Sequence, residues 1–176
     1  MGGEETSMIK PTDAVPGLEV ATVGGGTWNL AEQKPEWFTL VEFYRGYHCP
    51  RCKLHLLDLD HKVARFEERG CGVIAVSMDT RERAERAKQD WGIGGLTIGY
   101  GLSEEKARQW GLYISTPIQD KEPHDFCEPG MFLVRADGTL FSKVIHTTPF
   151  HRHHFADVME AIDMIRARDY PPRGNV

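Results

Sequence analysis

The stretch that decides the fold is Phe38-Thr39-Leu40-Val41-Glu42-Phe43-Tyr44, followed four residues later by Cys49-Pro50-Arg51-Cys52. Its first part is mostly apolar, β-branched and aromatic, which is typical of a strand buried on both faces. Beyond the cysteines, apolar side chains recur in steps of four and three from Cys52 to Phe66, and Gly70 can cap a helix that ends there. The sequence therefore predicts a central strand, a cysteine pair and one amphipathic helix that runs to Gly70.

The rest of the chain alternates between strand-like and helix-like segments. Runs with the composition of strands occupy 18–23, 27–30, 72–78, 96–100, 131–135 and 139–146. Helices are predicted over 81–91, 103–110 and 154–168, from N-cap residues or from an apolar stripe. An Asp-Gly turn joins the last two strands into a hairpin. We therefore expect an α/β protein with a central mixed β-sheet, helices on both faces and an N-terminal β extension.

Length and composition predict one domain. A chain of 176 residues can bury a sizeable core but falls short of two ordinary ones. We expect a flexible leader over 1–16, a single domain over 17–170 and a short tail over 171–176. The segment 111–128 contains prolines and charges without a clear period, which predicts a long loop or a small insertion, and long loops in compact domains are often functional.

Charge and hydropathy exclude two classes of partner. A net charge of −5 gives no general attraction for nucleic acid or for anionic lipid surfaces. No run approaches the length of a membrane helix, and the start of the chain lacks the pattern of a secretory signal. Four cysteines, only two of them close together, do not resemble the disulfide framework of a secreted domain. We expect a cytoplasmic protein whose close cysteine pair performs chemistry.

The pair Cys49 and Cys52 is suited to thiol-disulfide exchange. Cys49 stands where a strand gives way to a helix, and Pro50 suits the first helical position because it has no N–H to leave unpaired. A helix N-terminus favours the thiolate, which is the reactive form of cysteine. Cys52 lies one turn further on, on the buried stripe. We therefore expect Cys49 to be the more exposed nucleophile and Cys52 to resolve the mixed disulfide.

Several neighbouring side chains are candidates for supporting the Cys49 thiolate. Arg45, Arg51 and Lys53 add positive charge near it, and His48 would do so if protonated. Cys127 lies in the long loop and is a candidate for a third redox thiol. The other interpretation of the cysteine pair is that both thiols are buried apolar fillers, but their position at a strand-to-helix junction favours redox chemistry.

We expect no metal and no cofactor. Zinc would need two further ligands beside the CxxC pair, and Cys71 and Cys127 stand alone. The segment His151-Arg152-His153-His154, with His146 before it, resembles a transition-metal site. However, Arg152 and Arg166 oppose a cation there, and the local sequence offers no adjacent carboxylate or thiolate. A solvated loop and helix start is the interpretation we prefer.

Three segments together resemble the thioredoxin superfamily and, within it, peroxiredoxin-like proteins of the alkyl hydroperoxide reductase and thiol-specific antioxidant group. They are Val41-Glu42-Phe43-Tyr44, Cys49-Pro50-Arg51-Cys52 and Glu128-Pro129-Gly130-Met131-Phe132-Leu133-Val134, the last followed by Asp137-Gly138-Thr139. The resemblance implies a thioredoxin-like fold over most of the chain. It also implies that Pro129, next to Glu128, is a cis-proline that faces the dithiol and helps to bind an extended substrate.

The chain also departs from the peroxiredoxin pattern. Glu42 and Gly46 replace a proline and a threonine that the resemblance leads one to expect before the reactive cysteine. The usual arginine before the later strand is replaced by Pro129, although Arg45 could approach Cys49 from the other side. The Cys-Pro-x-Cys order is closer to that of glutaredoxins. Disulfides and peroxides therefore both remain candidate substrates.

Two functional hypotheses follow from these observations. The first is a thiol-disulfide oxidoreductase or peroxiredoxin-like antioxidant enzyme, restored by a thioredoxin-like or glutathione-like reductant, for which a homodimer is one expected assembly. The alternative is a non-catalytic binding module that keeps the fold and uses the 111–128 loop to bind a protein partner.

Overall fold

A seven-stranded mixed sheet forms the centre of the computed structural model, which describes residues 8–176. In chain order the strands are β1 (Glu19–Thr22), β2 (Thr27–Asn29), β3 (Phe38–Phe43), β4 (Cys71–Val76), β5 (Thr97–Tyr100), β6 (Ile114–Ser115), β7 (Phe126–Cys127), β8 (Gly130–Arg135) and β9 (Leu140–Ile145). The helices are α1 (Pro50–Asp60), α2 (Val63–Glu67), α3 (Arg81–Trp91), α4 (Glu104–Gln109) and α5 (Phe155–Arg168).

The sheet order is β2-β1-β5-β4-β3-β8-β9. Strands β3, β4 and β5 run parallel, as expected for strands joined by helical crossovers, whereas β8 and β9 are antiparallel to their neighbours. The hairpin of β1 and β2 continues the sheet beside β5, which confirms the predicted N-terminal β extension. The small β6–β7 pair lies apart from this sheet.

All six residues of β3 are buried, as the apolar run predicted. Alternate side chains enter two separate cores, because successive residues of a strand point to opposite faces. Leu40 joins the core that contains both CPRC cysteines, and Val41 and Phe43 join the other core. The loop after β3 therefore begins at the centre of the sheet and delivers Cys49 there.

Helices cover both faces, which confirms the predicted architecture. Four helices contribute to the core that contains the cysteines, through residues such as Leu56 of α1, Phe66 of α2, Trp91 of α3 and Ile162 of α5. The opposite core is covered by α4, through Ala107, and by the N-terminal and 111–128 segments.

The single helix predicted from Cys52 to Gly70 is wrong. It is two helices, because α1 ends at Asp60 and α2 begins at Val63. The Asp60 carboxylate accepts the backbone N–H groups of residues 94–96 at 2.8–3.1 Å, which fixes the end of α1 against a neighbouring loop. The apolar spacing continued across this break because both helices bury their apolar sides in the same core.

Part of the expected leader lies against the domain. Ile9 is buried, the Thr12 N–H donates to the Leu140 carbonyl at 2.8 Å, and the Val15 N–H donates to the Gly138 carbonyl at 3.0 Å. Residues 1–7 lie outside the described residues. The boundaries at 16 and 170 stay a prediction.

The described part of the chain has no helix that is both long and apolar enough to cross a lipid bilayer.

Candidate dithiol active site

Cys49 is the N-cap residue of α1, and Pro50 occupies the first turn as predicted. The Cys49 backbone is extended, with φ −102° and ψ 106°, so its side chain folds back over the open end of the helix. There the Cys49 sulfur accepts the Cys52 backbone N–H at 3.3 Å. A thiolate at this position receives both a hydrogen bond and the positive end of the helix dipole.

Arg45 is the charged side chain that reaches Cys49. Its guanidinium acts on the sulfur through a hydrogen bond and through its charge. Three groups hold the guanidinium in place: Glu128 pairs with it at 3.1 Å, Glu122 lies 3.9 Å away, and the Phe126 ring lies 4.7 Å below it. Glu122 and Phe126 belong to the predicted loop, so this loop forms one wall of the thiol site.

The two cysteines have opposite pKa shifts. A hydrogen bond from the Cys52 thiol is the largest influence on Cys49. Together with the Cys52 N–H and with Arg45 it outweighs the effect of burial and lowers the pKa of Cys49 to about 5. Burial, followed by the bond to Cys49 and the charge there, raises the pKa of Cys52 well above its ordinary value. At neutral pH Cys49 is therefore ionised and Cys52 carries a proton that it shares with the neighbouring sulfur.

The expected difference in exposure between the cysteines is wrong, because each of them is only 1% exposed. The thiolate needs no solvent because the groups that stabilise it belong to the protein. Arg152 also reaches this site, and its guanidinium donates to the Cys52 sulfur at 3.3 Å. Each sulfur thus has one guanidinium group beside it: that of Arg45 beside Cys49, and that of Arg152 beside Cys52.

A buried aspartate fixes the loop between β3 and α1. The Asp79 carboxylate accepts the Tyr47 backbone N–H at 2.7 Å and the Arg83 guanidinium at 3.1 Å. Gly46 has a φ of +140°, and a Cβ atom there would lie 2.8 Å from an Asp79 oxygen. Only glycine lets the loop approach Asp79 this closely, so this contact positions Cys49 three residues later.

Three of the expected supporting residues, His48, Arg51 and the exposed Lys53, are not among the groups that lower the pKa of Cys49. Burial lowers the pKa of His48 to about 4, with Arg45 as the next cause, so the ring is neutral at pH 7 and packs on Phe126. The Arg51 side chain is exposed, and no described contact joins it to a sulfur. The sequence showed which residues were near the motif but not which way they pointed.

The expected cis-proline is also wrong, since residues 8–176 contain no cis peptide bond. Pro129 is buried, and its carbonyl accepts the His146 N–H at 2.8 Å, while the preceding Glu128 N–H donates to the Tyr113 carbonyl at 2.8 Å. The backbone on both sides of this trans bond is therefore already paired. Glu128 does reach the site, through Arg45, and its other oxygen accepts the Ser115 hydroxyl at 2.7 Å.

Cys127 and Cys71 are both buried thiols. Burial raises the pKa of each to about 12. The Cys127 thiol donates to the Tyr44 carbonyl at 3.5 Å and belongs to the core on the opposite face of the sheet from the CPRC cysteines. The part of Cys127 as a third redox thiol stays a prediction.

The C-terminal histidines meet a carboxylate that their local sequence does not contain. His153 lies 2.9 Å from Glu42 of β3, and its other ring nitrogen lies 3.0 Å from His146. His154 and His151 are exposed. A carboxylate is therefore adjacent to these histidines in space, although none is adjacent to them along the sequence.

Sequence reasoning missed Arg152 and Asp79 as site residues. Arg152 follows Cys52 by 100 positions and Asp79 follows Tyr47 by 32, so no local pattern connects them to the motif. The nearest available signal was Gly46, since a glycine just before a reactive cysteine suggests a close backbone approach.

The fold and this site define a thioredoxin-like protein with a dithiol at the start of the first helix. A family model described as the AhpC/TSA family matches residues 11–142, and the chain belongs to this family. It is accordingly a peroxiredoxin-like antioxidant oxidoreductase, as the resemblance implied.

Solved structures of peroxiredoxins share the fold at low sequence identity. Peroxidoxin BcpB from Mycobacterium tuberculosis is 16% identical, with a TM-score of 0.72 over 91% of this chain and 98% of that one. The reduced 2-Cys peroxiredoxin of Plasmodium vivax is 16% identical, with a TM-score of 0.75 over 90% and 83%. Mycobacterium tuberculosis AhpC is 12% identical, with a TM-score of 0.73 over 90% and 99%. A comparison with curated proteins gave no significant match.

Proposed function

We propose that this protein reduces peroxides, with Cys49 as the nucleophile and Cys52 as the resolving thiol. The observation that carries the proposal is the position of the Cys49 sulfur at the N-terminus of α1, where it accepts the Cys52 N–H at 3.3 Å, with the second thiol one turn further on. The pKa values of the two cysteines shift in opposite directions, that of Cys49 to about 5 and that of Cys52 well above its ordinary value. A low pKa supplies the attacking thiolate at neutral pH, and a high pKa keeps the second thiol unreactive until it is needed.

The reaction balances with the groups present. The Cys49 thiolate attacks one peroxide oxygen, the O–O bond breaks, and the other oxygen leaves as hydroxide or alkoxide, which takes up a proton to give water or an alcohol. Cys49 is then a sulfenic acid. The Cys52 sulfur attacks it, water leaves, and a Cys49–Cys52 disulfide forms. An external dithiol, or two monothiols, then reduces the disulfide and is itself oxidised.

Two guanidinium groups support these steps. Arg45 stands beside the Cys49 sulfur, where negative charge develops on the departing oxygen, and charge-assisted hydrogen bonds are about twice as strong as neutral ones. Arg152 donates to the Cys52 sulfur at 3.3 Å and would stabilise the thiolate that this cysteine must form when it attacks.

The size of the site favours peroxide over a protein disulfide. Cys49 is 1% exposed and the neighbouring Arg45 side chain is 14% exposed, so a small peroxide needs less displacement of the surrounding side chains than an extended chain would. With Pro129 trans and its carbonyl already paired, the support expected there for an extended substrate is reduced. A small disulfide is the second candidate substrate, because the CPRC order suits thiol exchange.

A thioredoxin-like or glutathione-like thiol is the proposed reductant, in a cytoplasmic setting and with a homodimer as a candidate assembly. The non-catalytic binding module is not retained as the main function. The 111–128 loop on which it depended supplies Glu122 and Phe126 to the Arg45 site.

Rates with matched substrates test the proposal. Hydrogen peroxide, a small disulfide and a disulfide-bonded protein would each be added to the reduced enzyme, and oxidation of the dithiol would be followed by stopped flow. Peroxide should react fastest and the protein disulfide slowest. Cys49→Ser should abolish every reaction, whereas Cys71→Ala, which removes another buried thiol, should retain the peroxide rate. Faster reaction with the protein disulfide would contradict peroxide as the substrate.

A further inference from the structure

Three metal-binding side chains from distant parts of the sequence meet beside the dithiol core. Glu42 comes from β3, His55 from α1, and His153 from the segment before α5. One oxygen of Glu42 and one nitrogen of each histidine all lie within 4.8 Å of one another. Glu42 is fully buried, and the side chains of His55 and His153 are only 11% and 7% exposed.

The hydrogen bond made by His55 fixes which of its nitrogens is free. Its Nε2 atom lies 3.0 Å from the His153 backbone carbonyl, which can only accept, so Nε2 carries the hydrogen. In the neutral ring, Nδ1 then presents a lone pair to Glu42 Oε1 at 3.4 Å. This buried carboxylate oxygen has no hydrogen-bond donor in the described structure. Two acceptors therefore face each other, an arrangement that needs a cation between them.

One of the two neutral tautomers of His153 gives the same arrangement. Its Nδ1 lies 3.0 Å from Nε2 of His146, and its Nε2 lies 2.9 Å from Glu42 Oε2. When Nδ1–H donates to His146, the neutral His153 ring directs its Nε2 lone pair toward Glu42. Both lone pairs then converge on the same carboxylate.

These distances suit a tetrahedral ion. Bonds of about 2.0–2.1 Å at a tetrahedral centre place neighbouring ligand atoms about 3.3 Å apart. The His55 nitrogen lies 3.4 Å from Oε1 of Glu42, and the His153 nitrogen lies 2.9 Å from Oε2. One ligand atom from each residue lies within 4.8 Å of the other two, so the three side chains would draw together around the ion. Histidine ligands normally donate their other ring N–H to an acceptor, and the His153 carbonyl and the His146 ring already occupy those positions.

The two arginines that argued against a metal in the sequence have other partners, although Arg152 also lines the clefts beside His55 and His153. The Arg152 guanidinium is held by the Cys52 sulfur and by the carbonyl groups of Thr148 and Pro149. Arg166 lies over the Trp37 ring, 6.0 Å from its centre. Access is available too, because His55 lines a surface cleft together with Leu54 and His151, and His153 lines another.

We propose that Glu42, His55 and His153 form a divalent transition-metal site, most suited to Zn²⁺, with a fourth position open to water. Two imidazoles and one carboxylate are an established ligand set for this ion, which imposes no geometry of its own. The site joins β3, α1 and the start of α5, so the bound ion links three elements around the dithiol core. The competing occupant is a proton, which would make one ring an imidazolium paired with Glu42.

Calorimetric titration with Zn²⁺ tests the site. The titration uses the full chain carrying Cys49→Ser and Cys52→Ser, because thiolates are themselves zinc ligands. This background also makes the result independent of the proposed peroxidase function. We expect one ion per chain. Loss of an outer partner typically weakens metal binding by roughly 10–100-fold, so His153→Gln should weaken it by at least about 100-fold.

His154→Gln is the matched control, because His154 is the next residue and its side chain is exposed. It should bind Zn²⁺ as the background protein does. His55→Gln, on a different element, repeats the test in case one substitution disturbs folding, and circular dichroism checks each variant. Zn²⁺ should also raise the melting temperature of the background protein and of His154→Gln only. Equal affinity in the His55, His153 and His154 variants, or no saturable binding to the background protein, would overturn the proposal.

Discussion

Replacing Arg45 with methionine should raise the pKa of Cys49. Arg45 lowers this pKa through a hydrogen bond and through its charge, and its contribution adds to two bonds from Cys52. An opposite charge this close typically lowers an acid's pKa by about 1–3 pH units. The pKa of Cys49 should therefore rise from about 5 to roughly 6–8, and the ionised fraction at pH 7 should fall from about 99% to between about 90% and 10%.

The pH dependence of alkylation by iodoacetamide measures this pKa directly. Burial and neighbouring groups raise the pKa values of Cys52, Cys71 and Cys127, so reaction below pH 8 reports Cys49 alone. Arg45→Lys keeps a positive charge and should give an intermediate midpoint. The exposed Arg51→Met is the control and should titrate like the wild type. An unchanged midpoint in Arg45→Met, or an equal increase in Arg51→Met, would refute the assignment of Arg45.

Three further predictions concern stability and the choice of thiol. Between pH 5 and 9 the unfolded chain keeps a proton on Cys49 that the folded chain releases, so the reduced protein should become more stable as the pH rises. Denaturant titrations should show its unfolding free energy, relative to that of Cys49→Ser, increasing by up to about 1.4 kcal/mol per pH unit. Gly46→Ala forces a Cβ atom against Asp79 and should cost about 1–3 kcal/mol more than Gly24→Ala, where φ is also positive but the space is open. Equal losses in thermal unfolding would argue against the Asp79 contact. Cys127→Ala should leave peroxide-dependent disulfide formation intact, as peptide mapping can check, and its loss would show that this thiol participates.

The sequence was sufficient to predict the helices and strands that are determined by residues close to one another along the chain. The 38–44 run predicted the central strand because burial on both faces requires a continuous apolar segment. Cys49 and Pro50 predicted the start of α1 because capping depends on neighbouring residues. The break between α1 and α2 was missed because apolar spacing reports which side is buried, not whether the backbone is continuous, and the bonds that fix Asp60 come from residues 94–96.

The charges of the site were only partly predictable. Arg45 was named from proximity and does act on the Cys49 sulfur, yet Arg51, closer in sequence to both cysteines, points to solvent. His48 was expected to contribute if protonated, but burial keeps it neutral, and burial is a property of the whole fold. The contact between Arg152 and Cys52 joins residues 100 positions apart, and the contact between Glu42 and His153 joins residues 111 positions apart. Spacing within a short stretch of sequence carries no information about contacts at such separations.

The most direct test of the account is the mass of the protein after one equivalent of peroxide. In the wild type, peptide mapping should find a single disulfide between Cys49 and Cys52, with Cys71 and Cys127 unmodified. In Cys52→Ser, a sulfenic acid should be trapped on Cys49 instead, because the resolving thiol is missing. Oxidation that begins at any other cysteine, or a Cys49 that stays reduced, would contradict the claim that this capped and charge-stabilised sulfur is the reactive group.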